Sequence, residues 1–490
     1  MPPPFDIDWE QLATFWPHAL GVVSAALAVP ASLHCLLHKR DSRAAIAWVG
    51  LIWLTPLLGT LLYVLLGINR IQRRARSLRG GRGAVARRPD EAVCTEHRLD
   101  EILLPDHEHL RSLVRMVERV TGLPLVDGNQ VEPLINGEMA YPAMLASIDA
   151  ARRSIALSTY LFNHDALGLK FVEALARAVA RKVEVRVLID DIGARYSFPS
   201  IVRPLRRRHV PVARFLPTLL RRRFAYSNLR NHRKLLVVDG QVGFTGGMNI
   251  LDAARFRSRG KTSLADLHFR CEGPVVGHLA RTFAADWDFA ANESLAGEAW
   301  FPQLAPRGPV AARGILDGPD EDHDKLRLTL LGGLACARSQ VSIVTPYFLP
   351  DEALITALNV AALRGVKVDV LLPERNNLVL LEWASRSLWW QILEHGCRIW
   401  LSPPPFDHTK LMVVDGLWSL VGSANWDPRS LRLNFEFDVE CYDAELAQRL
   451  EAIVESKRRA ARAVTLADAD GRKLPVKLRD SVARLLSPYL

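Results

Sequence analysis

Two clusters of identical spacing carry the residue types that do phosphoryl chemistry: His232, Lys234 and Asp239, then His408, Lys410 and Asp415. Each reads His-x-Lys-x4-Asp, and each continues alike, NHRKLLVVDGQVGFTGGMN in the first and DHTKLMVVDGLWSLVGSAN in the second. The closing Asn249 and Asn425 stand at the same distance from their histidines. A phosphodiester is anionic and resists attack. Cleaving it takes a nucleophile, a proton donor for the leaving oxygen, and positive charge on the phosphoryl oxygens. Histidine fills the first two roles near neutral pH. Lys234 and Lys410 supply charge, and Asn249, Asn425 and Ser423 have side-chain donors for phosphate oxygens. Each imidazole also needs a partner on its second nitrogen to fix tautomer and orientation. Asp266 and Glu436, downstream of the two clusters, are the candidates. Asp239 and Asp415 each precede a glycine, as turn residues do, and are expected to hold the turn.

No metal or cofactor is expected. The chain has no His-Glu-x-x-His, no Gly-x4-Gly-Lys-Ser/Thr loop and no Cys/His cluster. The six cysteines are scattered and read as reduced, mostly buried residues.

The elements that must position these groups repeat as well. Ile155–Phe162 reads as a buried strand, Leu169–Ala180 as a helix and Val183–Asp191 as a strand. The order returns with Val341–Pro350, Asp351–Arg364 and Val366–Pro373. Tyr160 and Tyr347 occupy corresponding places. Two α/β lobes of pseudo-two-fold symmetry are expected, packed face to face with both histidines at the seam. The divisions predicted are a hairpin over 1–70, a basic linker and lead-in over 71–130, the first lobe over 131–300, a Pro/Gly-rich acidic linker over 301–324, the second lobe over 325–465, and a basic amphipathic tail over 466–490.

A 490-residue chain with 49% hydrophobic and 24% charged residues is globular, and a net charge of +10 calls for an anionic partner. The N-terminus chooses membrane over nucleic acid. Gln11–Leu37 and Ala44–Asn69 carry no Asp, Glu, Lys or Arg, and each is long enough to cross about 30 Å of hydrocarbon. The connector 38–43 is short, which predicts an antiparallel transmembrane hairpin. A cleaved signal peptide fits poorly, because Asp6, Asp8 and Glu10 stand where a positive segment belongs. Eight arginines between Arg70 and Arg88 outweigh Lys39, Arg40 and Arg43 of the connector, which orients both termini and the catalytic body to the cytoplasm. That stretch suits anionic head groups or serves as a solvated linker. A second basic run, from Arg206 to Arg230, interleaves arginines with Phe215, Leu219, Leu220 and Phe224, as a rim for anionic lipid or a solvated face.

These residues resemble the phospholipase D superfamily and, within it, the bacterial cardiolipin synthases. The resemblance rests on AIAWVGLIWLTPLLGTLLYVLLG, NHRKLLVVDGQVGFTGGMNI, TPYFLPDEAL, HTKLMVVDGLWSLVGSANWDPRSLRLNFEF and the terminal ARLLSPYL. It implies two pseudo-symmetric phospholipase D-like α/β/α lobes behind the hairpin and a place in the bacterial inner membrane. It implies transfer of a phosphatidyl group between two phosphatidylglycerol molecules through a phosphatidyl-histidine. It also implies His232 as nucleophile, His408 as acid and base, and a crossed pairing of Glu436 with His232 and Asp266 with His408. Hydrolysis, another donor or acceptor, and an inactive scaffold are the competing readings, and the oligomeric state is left open. Two positions depart from the family pattern: Lys182 stands where glycine is usual, and Asp407-His408-Thr409 replaces Leu-His-Ala. Asp407 is expected to perturb its neighbour's protonation.

Overall fold

A computed structural model describes residues 9–39, 41–67, 92–217, 229–252, 264–320 and 322–487. The Arg-rich stretch 70–88 and residues 218–228 of the second basic run lie outside the described residues. The chain divides into two compact units, Met1–Arg74 and Ala75–Leu490.

In the first unit, helix Trp9–His38 contains an apolar stretch, Trp16–His38, long enough to cross a membrane. The second expected span is not one helix. It runs Ser42–Leu54, breaks at Thr55, and restarts as Pro56–Leu62 with a final turn Tyr63–Gly67. Proline lacks the N–H that a continuous helix requires but fits its first turn, so Pro56 ends one segment and opens the next. Asp41 caps the helix after the connector by accepting from the Arg43 N–H at 2.9 Å. Ala28, Ala31 and Cys35 of the first helix leave room for Ala45, Ile52 and Tyr63 to pack against it, while Val22, Leu37 and Ile46 point outward.

The second unit is built on a sheet of sixteen strands that contains one pattern twice. The first lobe orders its strands as Val126–Ile135, Leu267–Glu272, Val242–Gly246, Leu235–Val238, Ser154–Thr159, Glu184–Asp190 and Val212–Phe215. The second orders Val310–Asp317, Asn434–Tyr442, Trp418–Gly422, Leu411–Val414, Gln340–Val344, Lys367–Pro373 and Arg398–Ser402 in the same way, with Arg462–Val464 added at the edge. The lobes join edge to edge rather than face to face. Val126 pairs with Ala312 and Asn129 with Val310, antiparallel. Helices cover the sheet, Ala166–Ala180 and Glu352–Leu363 being the matching crossovers between parallel strands. One apolar core runs under both lobes, with Phe283 and Trp287 of the first beside Val413, Phe437 and Leu450 of the second.

Three segments read as peripheral are structural. Residues 301–324 hold the strand Val310–Asp317, buried along its whole length. The lead-in holds Glu96–Leu103 and Arg111–Thr121, whose Leu99, Leu113 and Val117 pack into the second lobe's core. The tail docks its helix Leu474–Leu485 along Val379–Arg386. At Lys182 the backbone takes φ +65°, as Gly365 does at +90° in the second lobe, so the fold demands a left-handed residue there whichever side chain is present.

Candidate active site

Two short parallel ladders between the lobes build the site. Arg230–Asn231, immediately before His232, pairs with Asn434 and Phe435, immediately before Glu436. Phe406–Asp407, immediately before His408, pairs with Leu264 and Ala265, immediately before Asp266. The next residue on each strand continues the pairing. The His232 N–H donates to the Phe435 carbonyl at 2.9 Å, and the His408 N–H to the Ala265 carbonyl at 2.7 Å. Each imidazole thus meets the carboxylate of the opposite lobe. His232 Nδ1 lies 2.9 Å from Glu436 Oε2, and His408 Nδ1 lies 2.9 Å from Asp266 Oδ2.

The carboxylates acquire their positions differently. Glu436 also accepts from Ser423 Oγ at 2.6 Å and from Asn434 Nδ2 at 3.1 Å. Ser423 in turn accepts from the Phe437 N–H at 3.0 Å, so its hydroxyl serves the carboxylate and is not the free phosphate donor expected. The shorter Asp266 has Gly247 where the second lobe has Ser423. A β-carbon on Gly247 would sit 2.2 Å from Asp266 Oδ1. The small residue lets the short carboxylate in, and the serine braces the long one.

Lys234 Nζ donates to the His232 carbonyl at 2.5 Å, and Lys410 Nζ to the His408 carbonyl at 2.6 Å. An ammonium has three donors, which leaves two on each lysine for a ligand. Asn249 turns its Oδ1 to the Leu161 N–H at 3.0 Å, leaving its amide N–H2 as donor. Asn425 donates to Ser430 Oγ at 3.1 Å. Asp239 and Asp415 are elsewhere. Each sits seven residues beyond its histidine, across a strand that rises about 3.3 Å per residue. Asp239 accepts from the N–H groups of Arg152, Arg153 and Ser154, and Asp415 from those of Arg338, Ser339 and Gln340. They tie the turn to the start of the neighbouring strand and do not touch the imidazoles.

Burial sets the protonation states. It pulls His232 down to about 4 against the opposing pull of Glu436. His408 is lowered by burial and by Lys410, with Asp266 opposing. Burial brings Lys234 to about 7 and Lys410 to about 8. Lys410 also lowers His232, and Lys234 lowers His408, so each ammonium acts on the other lobe's ring and the four groups form one electrostatic unit. Glu436 is pushed up by burial but held below its usual range by His232 and Lys234. At neutral pH both rings are therefore neutral. Nδ1–H faces a carboxylate, and the Nε2 lone pair is left for chemistry.

Residues outside the two motifs also shape the site. Tyr160 packs edge-on to His232 at 5.3 Å between ring centroids, and Tyr347 does the same to His408 at 6.2 Å. Their matching places in the repeat were the available signal. Behind the first histidine, Arg233 pairs with Asp286 at 2.7 Å inside the core. Behind the second the polarity reverses. Asp407 pairs with Lys457, which together with Thr409 holds its carboxyl below the usual range against burial. Asp407 is thus neutralised from behind, and the groups that shift His408 are Lys410, Asp266 and Lys234 instead.

Family comparisons place the chain among known proteins. The model described as cardiolipin synthase, PLD-like domain, matches residues 144–287 and 330–458, and the one described as phospholipase D-nuclease N-terminal matches 26–67. The chain is 30% identical to a cardiolipin synthase of Oceanobacillus iheyensis over 96% of its own length and 98% of that protein's. It is 31% identical to cardiolipin synthase A of Pseudomonas putida, covering 97% and 98%. It is 29% identical to the major cardiolipin synthase of Bacillus subtilis, covering 92% and 95%. Among solved structures, a phosphatidylserine synthase of Haemophilus influenzae shares the fold, with TM-score 0.59 at 15% identity over 77% of this chain and all of that one.

Proposed function

We propose that this chain, which belongs to the cardiolipin synthase family of phospholipase D-like proteins, transfers a phosphatidyl group from one phosphatidylglycerol to a second and releases glycerol. The observation that carries the reading is the pair of imidazoles, each held on Nδ1 by the opposite lobe's carboxylate, with Lys234 and Lys410 on the two histidine carbonyls. His232 Nε2 attacks phosphorus, and the bond from phosphorus to the glycerol oxygen breaks. His408 gives that oxygen a proton. The hydroxyl of the second phosphatidylglycerol then returns a proton to His408, attacks phosphorus, and breaks the bond to His232. Lys234, Lys410, Asn249 and Asn425 hold the phosphoryl oxygens, and Glu436 and Asp266 orient the rings. An anionic phosphodiester also raises the lowered His408, which readies it as the acid.

Purified protein incubated with phosphatidylglycerol alone should yield cardiolipin and glycerol, resolved by mass. Phosphatidic acid as the main product would point to hydrolysis instead.

The hairpin is proposed to cross the bacterial inner membrane twice with the catalytic body in the cytoplasm. The support is the excess of arginine after residue 69 over the connector. A cysteine placed at Ser77 should escape labelling from outside intact cells, and ready labelling there would reverse the orientation.

A further inference from the structure

Each lobe of the second unit ends its second parallel strand in a loop that borders the active-site tyrosine. After Glu184–Asp190 the chain passes Tyr196, whose ring lies 6.5 Å from that of Tyr160, and then Phe198, which is 95% exposed. After Lys367–Pro373 it passes Asn377, whose Oδ1 accepts from Tyr347 at 2.8 Å, and then Leu378, Val379 and Leu380, all exposed. Tyr160 and Tyr347 touch His232 and His408. Both lobes therefore turn apolar side chains to solvent at equivalent places around one catalytic mouth.

The tail adds to the second lobe's share. Helix Leu474–Leu485 packs beside Val379–Arg386, burying Asp480 and Ala483, with the Arg479 guanidinium 4.2 Å from the Trp383 ring centroid. Leu474, Leu478, Val482 and Leu485 form a stripe at helical spacing that stays exposed. Arg375, Lys473 and Arg484 are exposed beside these apolar groups.

We propose that this rim, Tyr196 and Phe198 from one lobe with Leu378–Leu380 and the helix 474–485 stripe from the other, inserts into the surface of an anionic phospholipid bilayer. The inference rests on the lipid reading of the site and names the surface by which the site meets its substrate. Exposed apolar groups interleaved with cations match the acyl boundary and head groups of such a membrane. A protein seated on the same rim would close the mouth that leads to the histidines. A bilayer covers the rim and delivers substrate through it.

The test uses the full chain in phosphatidylglycerol-containing vesicles, with Cys94 and Cys336 changed to Ser. An environment-sensitive fluorophore is attached at Phe198→Cys, Val379→Cys or Val482→Cys. Controls are Arg152→Cys and Ser339→Cys, exposed at the opposite ends of the strands. Lipids brominated on their acyl chains should quench the three rim probes and spare the two controls. In parallel, the double variant Phe198→Ser, Val379→Ser should lose about tenfold in transfer rate on vesicles, the factor that ~1.4 kcal/mol of lost insertion gives. On a short-chain substrate dissolved as monomers it should keep its rate. Rim probes that quench no more than the controls overturn the proposal, as does an equal loss on vesicles and monomers. Quenching at the rim in a protein that transfers no phosphatidyl group supports the docking surface while refuting the functional reading.

Discussion

His232 donates its backbone N–H to the carbonyl of Phe435 at 2.9 Å, a contact between strands of different lobes. That bond sets Glu436 as the neighbour of His232, and its counterpart from His408 to Ala265 sets Asp266 beside His408. Neither histidine can be oriented by its own lobe, so the two halves form one site or none.

Exchanging the carboxylates for amides should separate the two histidines' work. Glu436→Gln removes the charged acceptor from His232 Nδ1 and should cost about 10²–10⁴ in kcat with any leaving group. Asp266→Asn should cost as much with phosphatidylglycerol and much less with a nitrophenyl ester, whose leaving group needs little protonation. The rate of the first nitrophenolate burst, set beside the transfer rate on phosphatidylglycerol, checks this, and equal losses in the burst would refute the division.

The covalent step gives a direct assignment. His408→Ala should still form phosphoenzyme from a nitrophenyl substrate, whereas His232→Ala should form none. Peptide mapping of rapidly quenched, labelled protein should place the phosphoryl group on His232. Label on His408 would reverse the roles, and no label at all would favour direct displacement.

The pH profile of kcat/KM follows from the titrating groups of the free protein. His232 must be neutral to attack, and burial brings it to about 4, so activity should fall only as pH drops through that region. Lys234 and Lys410 must be charged to hold phosphate. The acid His408, lowered by burial and by Lys410, loses its proton first as pH rises and opens the alkaline limb below the ordinary histidine value, and the loss of charge on Lys234 and Lys410, with values near 7 and 8, steepens it. An acid limb at the ordinary histidine value would show that burial does not govern His232.

Asp239 and Asp415 should behave as structural residues. Asp239→Ala leaves the N–H groups of Arg152, Arg153 and Ser154 without their acceptor and should destabilise the fold by about 2–4 kcal/mol. Asp415→Ala should do the same through Arg338, Ser339 and Gln340. Thermal unfolding should shift while activity per folded molecule is kept. Lys234→Ala should show the converse.

The repeat was legible because chemistry and periodicity coincide in it. A reader of the sequence finds His232 and His408 by their spacing, and finds the flanking strands and helices by their apolar runs. Reading 301–324 and the lead-in within 71–130 as connectors overlooks their elements for one reason. Proline, glycine and charge at their ends mask short apolar patterns, VAARGIL among them, whose partners lie far away in the chain. Likewise, Pro56 in a charge-free run does not announce whether it kinks a helix or ends it.

By itself the sequence determined the candidate reacting groups, their duplication, the α/β class and the apolar N-terminus, because each is a local property of residue type and spacing. Only the tertiary structure decided that the lobes join edge to edge, that Ser423 braces Glu436 while Gly247 makes room for Asp266, and that Lys457 neutralises Asp407. These depend on which strands lie side by side and how deeply a charge is buried. Neither can be read from the order of residues along one strand, because the partner in each case comes from elsewhere in the chain.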